Sequence, residues 1–167
     1  MFGWGKKKRQ EIDDLFGQFL HPELVEAMKS PDFNPPLNTF REVRVGLIFV
    51  AIDGTDASEV GKTLGLIADT TRLSGWYIDC MLSNLVILND GAPWPAPPER
   101  ASRSELVLKL QKQFGQKIKL LHGDRVAPWG SYGGRFRRNH GAMLFDFLDI
   151  LGRLHAQPYG SETEIAR

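Results

Sequence analysis

Apolar positions recur along this chain in two rhythms, first helical, then alternating. From Glu11 to Phe19, Ile12, Leu15, Phe16 and Phe19 return at helical spacing and predict a short amphipathic helix. Pro22 suits a first helical turn, and Leu24, Val25 and Met28 extend an apolar stripe. Ser30-Pro31 and Asn34-Pro35-Pro36 then force an extended linker. The run from Arg44 to Ile52 is the most apolar in the chain, rich in β-branched residues and closed by Asp53-Gly54. It predicts a strand over about 43–52 buried on both faces, with its C-terminal end as the place for chemistry.

Ser58 is the expected N-cap of a helix reaching about Leu73, with Val60, Leu64, Ile67, Ala68 and Thr71 on one face and Gly75 as its stop. Trp76 to Met81 and Asn84 to Leu88 read as two strands joined tightly at Leu82-Ser83. Gly91 to Pro98 is too proline-rich for a sheet interior. Ser102 or Ser104 caps a helix carrying Leu106, Val107, Leu110 and Phe114, which stops at Gly115. Lys117 to Leu121 is a further strand, and residues 122–141 are glycine-rich, with Trp129, Tyr132 and four arginines. A last helix over 141–155 is expected to turn Met143, Leu144, Phe147, Leu148 and Leu151 to the core, and the chain from Gln157 carries no clear signal.

The order strand, helix, strand, strand, helix, strand predicts an α+β fold: a ferredoxin-like βαββαβ core, an antiparallel sheet with helices on one face. A glycine-rich hairpin and a C-terminal helix are added to it. The expected organisation is an N-terminal segment over 1–42, one domain over 43–156 and a C-terminal tail over 157–167.

Composition narrows the picture modestly. At 167 residues, 42% hydrophobic and 25% charged, the chain suits one ordinary globular domain. A net charge of +1 gives no global drive toward nucleic acid or membranes. The lone Cys80 cannot form an internal disulfide, which points to the cytoplasm. No apolar run approaches the ~20 residues of a membrane span. Lys6-Lys7-Lys8-Arg9 reads as a solvated tail; with Phe2 and Trp4 it is also a minor candidate contact for an anionic surface.

Several constellations need weighing. Ser58-Glu59-Val60-Gly61-Lys62-Thr63 after a strand hints at a phosphate loop, but Asp56 stands where that motif needs glycine. Gly130 to Gly141, with Arg135, Arg137 and Arg138, reads either as a hairpin with exposed arginines or as an anion site of guanidinium forks and backbone N–H groups. Single-stranded nucleic acid stacking on Phe136 is weaker, since no basic face supports it. His21, His122, His140 and His155 lack zinc-site spacing. Asp146 and Asp149 share a helical face, and Arg153 lies one turn beyond Asp149, the spacing of an ion pair. No serine or cysteine hydrolase arrangement is legible.

In order and spacing, nearly all of residues 16–155 resembles the class III adenylate/guanylate cyclase homology domain. Phe16-Gly17-Gln18-Phe19-Leu20-His21-Pro22-Glu23-Leu24-Val25 is similar to that family's helical entry. Arg41 to Gly54 is similar to its first strand, which typically reads Val-x-Val-Leu-Phe-x-Asp-Ile-x-Gly. Gly75 to Leu88 is similar to its central hairpin, where the family has Gly-Asp at the turn. Gly130 to Gly133 and the helix ending Gly152-Arg153-Leu154 are similar to its late loop and asparagine-bearing helix.

The resemblance implies a catalytic test. The family holds two divalent ions on two aspartates, to activate a ribose hydroxyl and neutralise the triphosphate. Here those positions carry Ala51 and Ser83. The family's base-selecting lysine falls near Asp79, its transition-state asparagine on Asp149 and its arginine on Arg153. Asp53 and Asp56 are the candidates for a relocated ligand; Asp53 shares the strand face of position 51 but is displaced along it by about 7 Å at ~3.3 Å per residue. The expectation is therefore a catalytically inactive cyclase homology domain, a signalling module without cofactor or metal. Its alternative is a cyclase or other phosphoryl-transfer enzyme with relocated ligands. The resemblance also implies a homodimer, or a heterodimer with a related cyclase domain, and a nucleotide as possible ligand, held by Asp53, Arg135, Arg137, Arg138 or Arg153. Trp76, Phe49 and the apolar hairpin are offered either to that interface or to the core.

Overall fold

The computed structural model describes residues 25–26, 39–92, 96–134, 137–142 and 144–165, with only the backbone for 131–134 and 137–142. The expected helix over 11–19 and the linker lie outside these residues; of the helix beginning at Pro22, Val25 and Glu26 are described, and Val25 is buried.

Strand β1 (Thr39–Ile52) lies at the centre. It pairs with β3 (Leu85–Asn89) on one side and β4 (Ile118–Gly134) on the other, both antiparallel. Strand β2 (Tyr77–Leu82) lies outside β3, and β5 (Arg137–Ala142) outside β4, giving the order β2-β3-β1-β4-β5. A short β6 (Glu162–Glu164) runs parallel to β4 at Leu120–His122.

Alternation explains the apolar run of β1. Ile48, Val50 and Ile52 pack under helices α1 (Ala57–Leu73) and α2 (Arg103–Phe114). Val45, Leu47 and Phe49 face the other way, beneath α3 (Phe147–His155). The two helices of the βαββαβ core therefore share one face, as expected, and the added α3 covers the other. The periodicity of α3 shows an apolar stripe but not which face of the sheet receives it.

Local signals place the helices. Asp56, not Ser58, caps α1: its carboxylate accepts from the Glu59 N–H at 2.8 Å. The helix begins at Ala57, so Ser58 already lies inside its first turn and Asp56 holds the cap position. Ser102 and Glu105 form a reciprocal capping box on α2, whose Leu106, Val107, Leu110 and Phe114 are all buried as expected. Gly75, at φ +68°, lets the chain turn into β2 against Arg100, whose Cα would stand 2.9 Å from any added Cβ.

Three boundaries differ from expectation. β1 begins at Thr39, and β4 runs unbroken through the glycine-rich stretch, because Thr39–Ile52 and Ile118–Ser131 form one continuous ladder. Backbone pairing holds that arm although residues 39–42 are exposed, so side-chain alternation gives no sign of it. α3 starts at Phe147 and turns Ile150 and Leu154 inward, while Leu148 is 81% exposed.

Candidate functional site

The C-terminal end of β1 meets the β2–β3 turn. The Ile52 N–H donates to the Asn84 carbonyl at 2.8 Å, and the Asn84 amide donates to the Ile52 carbonyl at 3.1 Å. This clasp brings the neighbourhoods of Ala51 and Ser83 together. Ala51 is half-buried and packs with the α3-face cluster. Ser83 is exposed and left-handed at φ 53°, a conformation that costs a side-chain-bearing residue roughly 1 kcal/mol.

Beyond Ile52, Asp53 is exposed, and its N–H donates to the Lys117 carbonyl at 2.8 Å. It lines an open cleft of about 400 Å³ with Glu59, Thr63, Gln116 and Lys117. Asp56 is committed to capping α1.

Asp79 is the extra residue of a bulge in β2, between Ile78 opposite Leu88 and Cys80 opposite Ile87. The bulge switches the strand's faces: Ile78 packs under α1 and α2, and Cys80 joins the α3-face cluster. Asp79 is exposed as a residue, yet protein around its carboxyl shuts off part of its water. That loss of water raises its pKa above the ordinary carboxylate value, while the Asn89 amide, donating at 3.3 Å, pulls it down. A raised folded-state pKa favours folding below the unfolded carboxylate pKa, and that advantage is lost as pH rises through the folded value. Asp79→Asn should therefore stabilise the fold at pH 7.5 and lose that gain toward pH 3.5; equal urea midpoints for both proteins at pH 7.5 would count against it. Cys80 is half-buried, and burial first, then the Asp79 charge, pushes its thiol up, away from nucleophilic use.

Asp149 and Arg153 are both exposed on α3 and form no ion pair with each other among the described residues. Asp146 pairs instead across to Arg125 of β4, Oδ2 to Nε at 3.0 Å. Helical spacing permits the Asp149–Arg153 pair, but tertiary reach supplies a different one. Arg137 and Arg138 lie on β5, opposite Gly134 and Gly133, and Arg135 lies outside the described residues. Trp76 and Phe49 are buried core residues, which removes them from any interface, whereas Met81 and Leu82 of the hairpin are open to solvent.

Two polar side chains of β4 are buried, and the first of them, Lys119, is not singled out by the sequence. Lys119 is buried on β4, its ammonium donating to the carbonyls of His155 at 2.9 Å and Gln157 at 3.0 Å, with the Tyr159 ring centroid 4.7 Å away. His122, also buried, pairs through Nε2 with Glu162 of β6. A lysine inside Ile118-Lys119-Leu120-Leu121 breaks an apolar run and is the signal that could have marked the first. Among the described residues, no three His, Cys, Asp or Glu side chains converge as a metal-ligand set.

No family profile and no curated protein sequence matches the chain. Solved structures do. A bacterial light-regulated adenylyl cyclase is 13% identical and covers 94% of this chain, with TM-score 0.61; this chain spans about half of it, 53%. The guanylyl cyclase Cya2 is 15% identical, with 75% of this chain and 76% of its own covered and TM-score 0.52. A dimeric guanylyl cyclase domain of the RhoGC fusion protein from the aquatic fungus Blastocladiella emersonii is 15% identical, with 75% and 80% covered and TM-score 0.51. The fold is that of these adenylyl and guanylyl cyclase domains. The cyclase fold accounts for the mixed α+β architecture and the central sheet. Among the described residues, no helix of this cyclase-like chain is long and apolar enough to cross a membrane.

Proposed function

We propose that this chain is a cyclase homology module that has lost turnover and works by binding, as a dimer with itself or with a related cyclase domain. The observation that carries the reading is that Ala51 and Ser83 stand next to the two ends of the Ile52–Asn84 clasp, one at the end of β1 and the other in the β2–β3 turn. On a cyclase fold, bringing an alkoxide onto a triphosphate calls for divalent charge held by carboxylates. A methyl group offers no ligand there, and a neutral hydroxyl is a poor one. The donor set does not fit a two-ion site, since Asp56 is occupied as a helix cap and Asp53 lies past the strand. The fungal neighbour is known as a non-canonical dimer and as a monomer, and the exposed Met81 and Leu82 offer a dimer of this chain apolar surface. A reducing compartment such as the cytoplasm suits the free Cys80.

Incubation with ATP or GTP and Mn²⁺ is expected to yield no cyclic nucleotide above a protein-free blank. Turnover abolished by Asp53→Ala would overturn the reading in favour of a cyclase with relocated ligands. That second reading draws on the cleft that Asp53 and Glu59 line together. Calorimetric titration of nucleotide without metal separates a nucleotide-binding module, which gives heat, from one that binds protein alone.

A further inference from the structure

We infer that Lys119 keeps a fixed positive charge beside the place where the resembling enzymes hold their divalent ions, so that this end of the sheet rejects such an ion even when carboxylates are restored. The inference rests on the proposed reading and deepens it: two ligands are missing, and a resident charge stands next to the gap.

In the β1–β4 register Lys119 is the partner of Ala51. Register partners project from the same face with Cβ atoms about 5 Å apart. That face is the one beneath α3, since Ala51 and Leu121, two residues beyond Lys119, both belong to its cluster. Lys119 is only 6% exposed. Its partners are the His155 and Gln157 carbonyls and the Tyr159 ring, all uncharged. Among the described residues no carboxylate pairs with it. Carbonyl dipoles at the end of α3 solvate the ammonium. The Tyr159 hydroxyl donates to the Ile52 carbonyl at 3.4 Å, which fixes the ring beside the last residue of β1.

A cation entering near Ala51 would meet this charge in a water-poor setting, where Coulomb repulsion is weakly screened. A carboxylate placed at position 51 would find the ammonium before it found a metal ion.

The test uses two full-length variants: Ala51→Asp with Ser83→Asp, and the same pair with Lys119→Gln. Glutamine keeps an N–H donor for the carbonyls and removes the charge. Mn²⁺ binding is read by electron paramagnetic resonance of the free ion. The double variant should bind Mn²⁺ no tighter than the native protein, and the triple variant about tenfold tighter. Tight binding by the double variant overturns the inference, and so does weak binding by both. Should the triple variant not fold, melting of Ala51→Asp alone, with and without Lys119→Gln, decides. The midpoint should fall less when Lys119 is present to pair with the new carboxylate, and an equal fall in both backgrounds overturns the inference. Cyclic product from the native protein would sink the silent-module reading separately, leaving these readouts to judge Lys119.

Discussion

Phe49→Ala should destabilise the protein by about 4 kcal/mol and release α3 ahead of the rest of the fold. Phe49 is fully buried on the α3 face, with its ring centroid 6.3 Å from that of Phe147 and the planes tilted by 43°. Around them stand Val45, Leu47, Ile87, Leu121, Ile150 and Leu154. α3 has nine residues, too few to be stable alone, since isolated helices shorter than ~12 residues are marginal. Its helicity therefore depends on docking through Phe147, Ile150 and Leu154. The opposite face is covered by helices of 17 and 12 residues and a larger cluster, so it should survive the loss. Urea unfolding gives the total cost. Hydrogen exchange at Ile150 and Ala156, whose N–H groups donate to Asp146 and Gly152, reports α3 itself. Protection there equal to the native value would refute the dependence. Ile48→Ala, a full-burial change on the other face, should lower stability without singling out α3.

The faces of the sheet show which signals a sequence carries. The β1 run is legible because both its faces are buried and its apolar character needs no partner to be recognised. The α1 and α2 stripes are legible for the same reason, each at one helical period with a cap at its start. The β4 arm is not, because residues 39–44 and 126–131 are held by a backbone ladder that leaves no pattern in the side chains. The stripe of α3 is legible in part: Leu144 and Phe147 pack inward as expected, while Leu148 faces water and Ile150 is buried, because four apolar residues in Phe145-Asp146-Phe147-Leu148-Asp149-Ile150 fit more than one stripe until the sheet chooses. At the site, Ala51, Ser83 and Asp79 could be singled out because each sits in or beside a strand. Their approach could not, because it depends on the Ile52–Asn84 clasp and on a bulge at Asp79 that alternation alone does not reveal. Lys119 is the least legible, because a lysine inside a strand usually faces water, and only the fold shows the carbonyls waiting for it.

Lys119→Met should cost about 3 kcal/mol, and the loss should fall on the C-terminal part of the fold. Two effects oppose each other. Removing a buried charge and filling its space with an apolar chain of similar length is often neutral or stabilising. That holds when the partners leave with the charge. Here the partners are backbone carbonyls of His155 and Gln157, which remain, so the variant leaves two acceptors at the end of α3 without their donor. Hydrogen bonds to a charged group contribute roughly 1.5–3 kcal/mol each, which outweighs the relief of desolvation only while both acceptors stay shielded from water. The segment they belong to leads straight into a turn fixed by Gly160, whose N–H donates to the Ile118 carbonyl at 2.7 Å, and into β6, where the Leu120 N–H donates to the Ser161 carbonyl at 2.9 Å. Ile165, buried at the end of that path, anchors it in the α3-face cluster. The expected pattern is faster exchange at Gly160 and Ile165 and a lower urea midpoint, with Lys119→Gln falling between the two proteins. A methionine variant as stable as the native protein would mean that water reaches those carbonyls, and that Lys119 is a charge tolerated by the fold and not a clamp that holds α3 to the sheet.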